Sequence, residues 1–310
     1  MNAVPNGGNI LPIDLVCRAL SEAVLLGVRT VHLTGGEPFM YPDIKQVLEF
    51  AAGRQEYQLF ISTNGTLIGP KEAAWIKSAR AGVQISIDGG EEYHDRFRGM
   101  SGAFSDSRRG VEALVNAGVP VTLVVTVTRD NLDCLPWLAE WGLRNHADRI
   151  SVQPLQAVGR GSRIADSKLS EQEVCKLFAQ VSDLGHAYAS KGLRFSLHYK
   201  ARGFLLLHPC AAYVCNGAHC HRLVAKEIKR LMVREDGTVL PEIATIHPRF
   251  SLGNIQEAPL PDLVRRYFAH GYAAFRDFCR SVYNDVVPFS TSPIIPWDEI
   301  LSERSWSSAA

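Results

Sequence analysis

Gly35-Gly36-Glu37-Pro38 closes the apolar run Val28 to Leu33. Two glycines let a ligand approach the backbone, a carboxylate suits an ammonium group, and the proline fixes the exit into a helix. An ordinary strand-to-helix turn would carry the same residues, so the motif gains meaning only in combination with the strand ends downstream of it. Ser62-Thr63-Asn64-Gly65, Ser86-Ile87-Asp88-Gly89, Thr126 to Asn131 and Gln153-Pro154-Leu155 each close a further apolar run. Ser, Asn and Asp at a single strand end are accounted for by local capping. Five polar ends in succession point instead to loops that share a polar ligand.

A second group lies downstream. Cys210, Cys215 and Cys220 are separated by four residues each, with His208, His219 and His221 interleaved. That density is a metal-site signal, yet the spacing matches neither the common zinc patterns nor the bacterial ferredoxin run. A zinc site using a histidine and a set of structural thiols are both compatible with it. Cys17, Cys134 and Cys175 fall on apolar faces of helical segments and read as packed core residues.

The elements that must position these residues follow from periodicity. From residue 12 to about 155, strand-like runs alternate with helical ones, the pattern of βα units on a parallel sheet. The expected helices are Pro12 to Leu26, Tyr41 to Ala52, Pro70 to Arg80, Phe104 to Ala117 and Leu132 to Gly142. The expected strands are Val28 to Leu33, Gln58 to Ser62, Val83 to Ile87, Val119 to Val127 and Arg149 to Gln153, each read as apolar on both faces. Gly159-Arg160-Gly161 reads as a loop. Ser170-Glu171-Gln172-Glu173 is a capping box opening a helix to about Ser190, and Leu193 to His198 alternates like a further strand. A boundary is expected near residue 200, where Cys, His, Pro and Gly become frequent and elements shorten. The units are then 1–200, 201–285 and a tail 286–310, of which Ile294 to Ile300 are apolar enough to pack back. In open α/β folds ligands collect at the carboxyl ends of the strands, which is where the five polar ends lie.

Composition narrows the partners. Lys plus Arg number 33 against 32 for Asp plus Glu in 310 residues, so no global field draws in nucleic acid or anionic lipid. No run reaches the roughly 20 apolar residues of a membrane span, and the N-terminus lacks the pattern of a signal peptide. A cytoplasmic protein acting on a small molecule or a neutral polymer is expected. Seven cysteines there serve as thiols or metal ligands rather than disulfides.

The order TGGEP, STNG, SIDG, then His94-Asp95 with Arg98-Gly99, then a Val-rich strand leading into Thr128 and Asn131, resembles the radical S-adenosylmethionine (SAM) enzymes, in particular the branch with a cysteine-rich C-terminal extension of SPASM or twitch type. The likeness covers residues 10 to 160 well and 205 to 265 more loosely. It implies an α/β fold, a partial (β/α)6 TIM-like barrel with a small Cys-rich extension. It further implies that Gly35, Gly36, Glu37 and Pro38 hold the amino group of SAM and that Ser86 and Asp88 lie near its ribose. Ser62, Asn64, Thr128 and Gln153 would line the cofactor or substrate cavity, and the segment from Gln153 to Gly161 would border the adenine. Leu231 to Pro241, with Asp236-Gly237 as its turn, resembles the hairpin of the extension. An auxiliary 4Fe-4S cluster would then use Cys210, Cys215, Cys220 and Cys279. The implied partners are a peptide or small-molecule substrate and an external electron donor. Two other readings stay open: modification of a tetrapyrrole, and a non-catalytic protein that binds SAM or a peptide.

The sequence departs from this family in one respect. The Cys-x3-Cys-x2-Cys triplet that holds the catalytic cluster does not occur in it. Pro12 to Leu26 takes the place of the family's first helix, so the first strand and cluster loop would lie before Met1, leaving the barrel N-terminally incomplete. The chain is therefore expected to be a shortened form of a longer enzyme or a relative that has lost the radical chemistry. In either case the 310-residue chain should not hold the catalytic cluster or cleave SAM reductively.

Overall fold

The computed structural model describes residues 10–213 and 230–307. Its central feature is a six-stranded parallel sheet in sequential order: β1 (Thr30–Leu33), β2 (Gln58–Thr63), β3 (Gly82–Ser86), β4 (Val121–Val127), β5 (Arg149–Pro154) and β6 (Arg194–Leu197). Seven helices accompany it: α1 (Ile13–Leu25), α2 (Ile44–Ala52), α3 (Pro70–Ser78), α4 (Glu91–Arg98), α5 (Ala103–Asn116), α6 (Leu135–Arg144) and α7 (Glu171–Ala189). This is the expected α/β class, a sheet flanked by helices and consistent with a partial (β/α) barrel.

The strands differ from expectation in their second face. In β2, β3 and β4 buried residues alternate strictly with partly exposed ones. Leu59, Ile61, Val83, Ile85, Val121, Leu123 and Val125 are buried in one core with residues of the helices. The opposite face carries Phe60, Ser62, Gly82, Gln84, Ser86, Thr122 and Thr126, brought together by the parallel register Phe60↔Gly82, Ser62↔Gln84 and Gln84↔Thr122. The sheet is therefore apolar toward its helices and largely polar toward its open face, because a period of two divides each run between the faces.

Local signals set the helix ends. Ser170 Oγ accepts from the Glu173 amide while Glu173 Oε2 accepts from the Ser170 amide, the reciprocal cap that opens α7. Ahead of α3, Glu72 Oε2 accepts from the Gly69 amide. Gly159-Arg160-Gly161, expected as loop, opens a longer run of 3-10 turns, Gly159–Ser167. Helix α4 is an addition to the expected elements, since its sequence EEYHDRFR buries only His94. Cys175, expected in the core, lies on an exposed part of α7, where neighbours Val174 and Leu177 take the buried positions.

A second core forms beyond residue 201. Around the short pair β7 (Lys200–Ala201) and helix α8 (Arg202–Leu207) stand a hairpin of β8 (Leu231–Val233) and β9 (Thr238–Pro241), edged by β10 (Gly253–Asn254), and helices α9 (Leu260–His270) and α10 (Tyr272–Val286). The hairpin register is Leu231↔Pro241 and Val233↔Val239, with Gly237 in the left-handed region at its turn. Helices of 11 and 15 residues replace the short elements expected here. The last segment does pack back: β11 (Ile294–Ile295) pairs with β7, and α11 (Trp297–Ser307) buries Trp297 and Leu301 in this core.

Helix α1 joins the two cores. Ile13, Val16, Leu20 and Val24 pack on the sheet core, while Leu15 and Ala19 pack on the second. Glu22 accepts from the Leu260 amide at 2.6 Å, and Arg18 donates to the Ile255 carbonyl. The far end is tied as well, since buried Glu299 of α11 accepts from Lys168 and from the Ala157 amide. Among the described residues no helix is long and apolar enough to cross a membrane.

Candidate functional site

The five polar strand ends come together along one rim of the sheet. Glu37 binds the first two. Its Oε1 accepts from Thr63 Oγ1 at 2.5 Å and from the Phe39 amide at 3.3 Å, and its Oε2 accepts from the Asn64 amide at 2.8 Å. The Asn64 side chain in turn accepts from the amide and hydroxyl of Thr66. The Asn64–Gly65 turn is held from below by α5: Ser107 Oγ donates to the Asn64 carbonyl at 2.7 Å, and Gly110 packs so tightly that a Cβ there would sit 2.3 Å from the Gly65 carbonyl oxygen. Helix α5 thus touches the rim only because position 110 has no side chain.

Asp88 is the centre of a second, buried node. Its side chain is fully buried; Oδ2 accepts from Arg98, whose Nη2 stands 2.6 Å away, and Oδ1 accepts from the Thr126 amide. His94 Nδ1 lies 3.1 Å from the Asp88 amide and 3.4 Å from Oδ2. Burial alone would raise the carboxyl pKa, but the contacts with His94, Arg98 and the Thr126 amide outweigh it and hold the pKa below the ordinary carboxylate value. Asn131 completes the node. Its amide group donates to the Asp88 and Thr126 carbonyls, and its oxygen accepts from the amide and hydroxyl of Thr128. Asp95 accepts from the Gly102 and Phe104 amides and so starts α5.

These contacts sort the predicted residues by position. Asp88 and Thr128 lie beneath the rim, each fully buried. Ser62, Ser86 and Gln153 stand at the open face, with Ser62 donating to Gln84 at 3.1 Å. Among the described residues the side chains of Ser86 and Gln153 meet no hydrogen-bonding group. Gly35 and Gly36 are exposed while Pro38 is buried. Gly35 has φ +135, a conformation other residues rarely adopt, and nothing lies within 4 Å of where its Cβ would be. The backbone there is open to an incoming group. Thr63, Arg98 and Asn131 are node residues not assigned a role from the sequence; their signals were the second strand end, the Arg98-Gly99 pair and the fourth strand end.

The cysteines divide differently. Cys215 and Cys220 lie outside the described residues. Cys279 is buried in α10 within the second core, and Cys210 is half-buried in a short turn after α8. Among the described residues no three His, Cys, Asp or Glu side chains are grouped to hold a metal ion. Cys134 sits under the Asp88 node, where burial and the nearby carboxylates push its thiol up to about 12.

Residues 3–141 match the model of the Radical SAM superfamily. That segment, a little under half of the chain, is similar to this superfamily. An AdoMet-dependent heme synthase of Oleidesulfovibrio alaskensis is 45% identical over 111 residues, 34% of this chain and 28% of that protein. A PqqA peptide cyclase of Gluconobacter oxydans is 26% identical over 246 residues, 79% of this chain and 65% of the relative. The chain spans less than half the length of the heme synthases it matches. Among solved structures, Streptococcus suis SuiB bound to S-adenosylmethionine is similar in fold, with a TM-score of 0.67 at 19% identity, over 86% of this chain and 61% of SuiB.

Proposed function

We propose that the strand-end rim binds S-adenosylmethionine and presents it to a peptide substrate. The observation that carries this reading is the convergence at one end of the sheet of an exposed, left-handed Gly35, the carboxylate of Glu37 and the unpaired polar groups of Ser86 and Gln153. An exposed backbone with room above it suits the methionyl end, and Ser86 and Gln153 suit the sugar and base. Asp88, Asn64 and Thr128 then position the rim from below rather than by contact through a free side chain. The choice of a peptide rests on the likeness to a PqqA peptide cyclase across most of this chain.

In this superfamily SAM together with a reduced iron–sulfur cluster supplies a carbon-centred radical. The residues present do not fit that cluster: the Cys-x3-Cys-x2-Cys triplet is missing, and Cys134, beside the Asp88 node, is a half-buried thiol whose pKa is pushed up to about 12. What is assigned to this chain is accordingly the binding and orientation of SAM and substrate. An auxiliary cluster on Cys210, Cys215, Cys220 and Cys279 in a cytoplasmic setting belongs to the same reading.

A second reading, a tetrapyrrole substrate, is favoured by the 45% identity to a heme synthase. Calorimetry with SAM tests the first part: weak binding to the parent, abolished in Gly35→Val, is expected, and absence of binding by folded parent protein refutes it. Absorbance titration with iron coproporphyrin III separates the substrates. A saturable spectral shift supports the tetrapyrrole, whereas no shift together with capture on a short-peptide array supports the peptide.

A further inference from the structure

The opposite end of the sheet is built quite differently. There the first residues of β2 to β6 surround a cavity of about 540 Å³ whose lining includes Lys77, Arg80, Arg149 and Arg194, with Asp148 as its acidic residue. Asp148 is committed, since its Oδ2 accepts from the Val121 amide at 2.8 Å. Lys77 donates to the Ala117 carbonyl. The three arginine side chains meet no carboxylate or carbonyl among the described residues.

Two features make this more than a solvated basic surface. The first is register. Arg149 and Arg194 are direct partners across β5 and β6, so they project from the same face of adjacent strands. Like charges directly opposite each other destabilise a sheet unless something negative lies between them. The positive charge of Arg149 is felt along that face as far as His198, whose pKa is lowered by burial first and by Arg149 second.

The second is backbone strain. Arg80 ends α3 in the left-handed region at φ 52, with its amide on the Lys77 carbonyl and the Ala81 amide on the Ile76 carbonyl. This closing turn favours glycine. Its counterparts are Gly118 after α5, Gly192 after α7 and His146 after α6, all at positive φ, and of the two non-glycine residues only Arg80 lines the cavity. An arginine kept where a glycine fits better places a guanidinium at the cavity mouth at a cost in stability, which is how functional positions behave.

We infer that this cavity, at the amino-terminal mouth of the sheet, is a binding site for a compact multivalent oxyanion, a phosphate or a polycarboxylate, clamped by Arg149 and Arg194 and closed by Arg80. Guanidinium groups pair with such anions through two parallel hydrogen bonds, which ammonium groups cannot do. The site stands apart from the rim by the length of the strands, roughly 15–20 Å, and does not depend on SAM binding there.

The test uses the full chain with inorganic phosphate and with citrate, each compared with chloride at matched ionic strength. Calorimetry should show saturable binding of at least one of the two, and which one identifies the chemistry. Arg149→Gln/Arg194→Gln should weaken it by about a hundredfold, on the order of tenfold for each lost charge-assisted contact. That variant should also melt higher than the parent in anion-free buffer, because the like-charge pair is gone. Arg80→Gly should raise the melting temperature and weaken binding together, a combination that a merely structural arginine would not produce. No binding beyond the chloride control, or equal binding by the double variant, overturns the proposal.

Discussion

The two ends of the sheet use their polar side chains in opposite ways. At the carboxyl rim nearly every charge is satisfied within the protein: Glu37 by Thr63 and two amides, Asp88 by Arg98, His94 and the Thr126 amide. At the amino mouth Arg80, Arg149 and Arg194 are left facing a cavity. The rim offers its ligand backbone, neutral groups and a Glu37 carboxylate already held in place by Thr63 and two amides; the mouth offers concentrated positive charge that the fold does not neutralise. A satisfied network fixes geometry, and an unsatisfied one waits for a partner.

The contrast can be broken most forcefully at Asp88. Replacing it with Asn should cost about 3 kcal/mol in urea unfolding, because Arg98 and the Thr126 amide lose a buried charged acceptor. The same residue sets a pH dependence. Its folded pKa lies below the unfolded value near 3.9, so its contribution is fully present above that pH and fades as pH falls through the folded value. In Asp88→Asn this part of the acid limb should be flat, and an unchanged acid limb would show that the node is not electrostatic.

Gly110→Ala comes next, at about 2 kcal/mol, since the added methyl must displace α5 from the Gly65 carbonyl. In an ordinary helix interior the same change stabilises, so the sign of the measured effect decides whether α5 props the rim. Arg80→Gly should act the other way at the mouth, gaining about 1 kcal/mol by relief of the left-handed arginine. The smallest effect is chemical. Half-buried Cys134, its thiol pKa pushed up to about 12, should react more slowly with a thiol reagent at pH 8 in the native protein than exposed Cys175, as peptide mass mapping would show.

Much of this was legible in the sequence. Apolar runs broken by Gly and Pro marked all six strands, and the polar residues that end five of them marked the rim. The open face was not legible, because Val-rich runs such as Val119 to Val127 look apolar throughout although Thr122 and Thr126 fall on one side of the pleat. Helix α4 was hidden by its polarity, and it matters chiefly for bringing His94 and Arg98 to Asp88. The Arg149–Arg194 pair is 45 residues apart and exists only through register. The second core was underestimated for a similar reason: its helices α9 and α10 find their apolar partners on one another and on distant α11 and α1.

Hydrogen exchange measured by mass spectrometry on the full chain tests most directly whether the two ends hold different ligands. With SAM, exchange should slow in segments 34–38, 62–66 and 86–89 and stay unchanged at 77–83 and 118–122; with phosphate or citrate the pattern should reverse. Protection of the amino mouth by SAM, or no protection at the rim under saturating SAM, would contradict it.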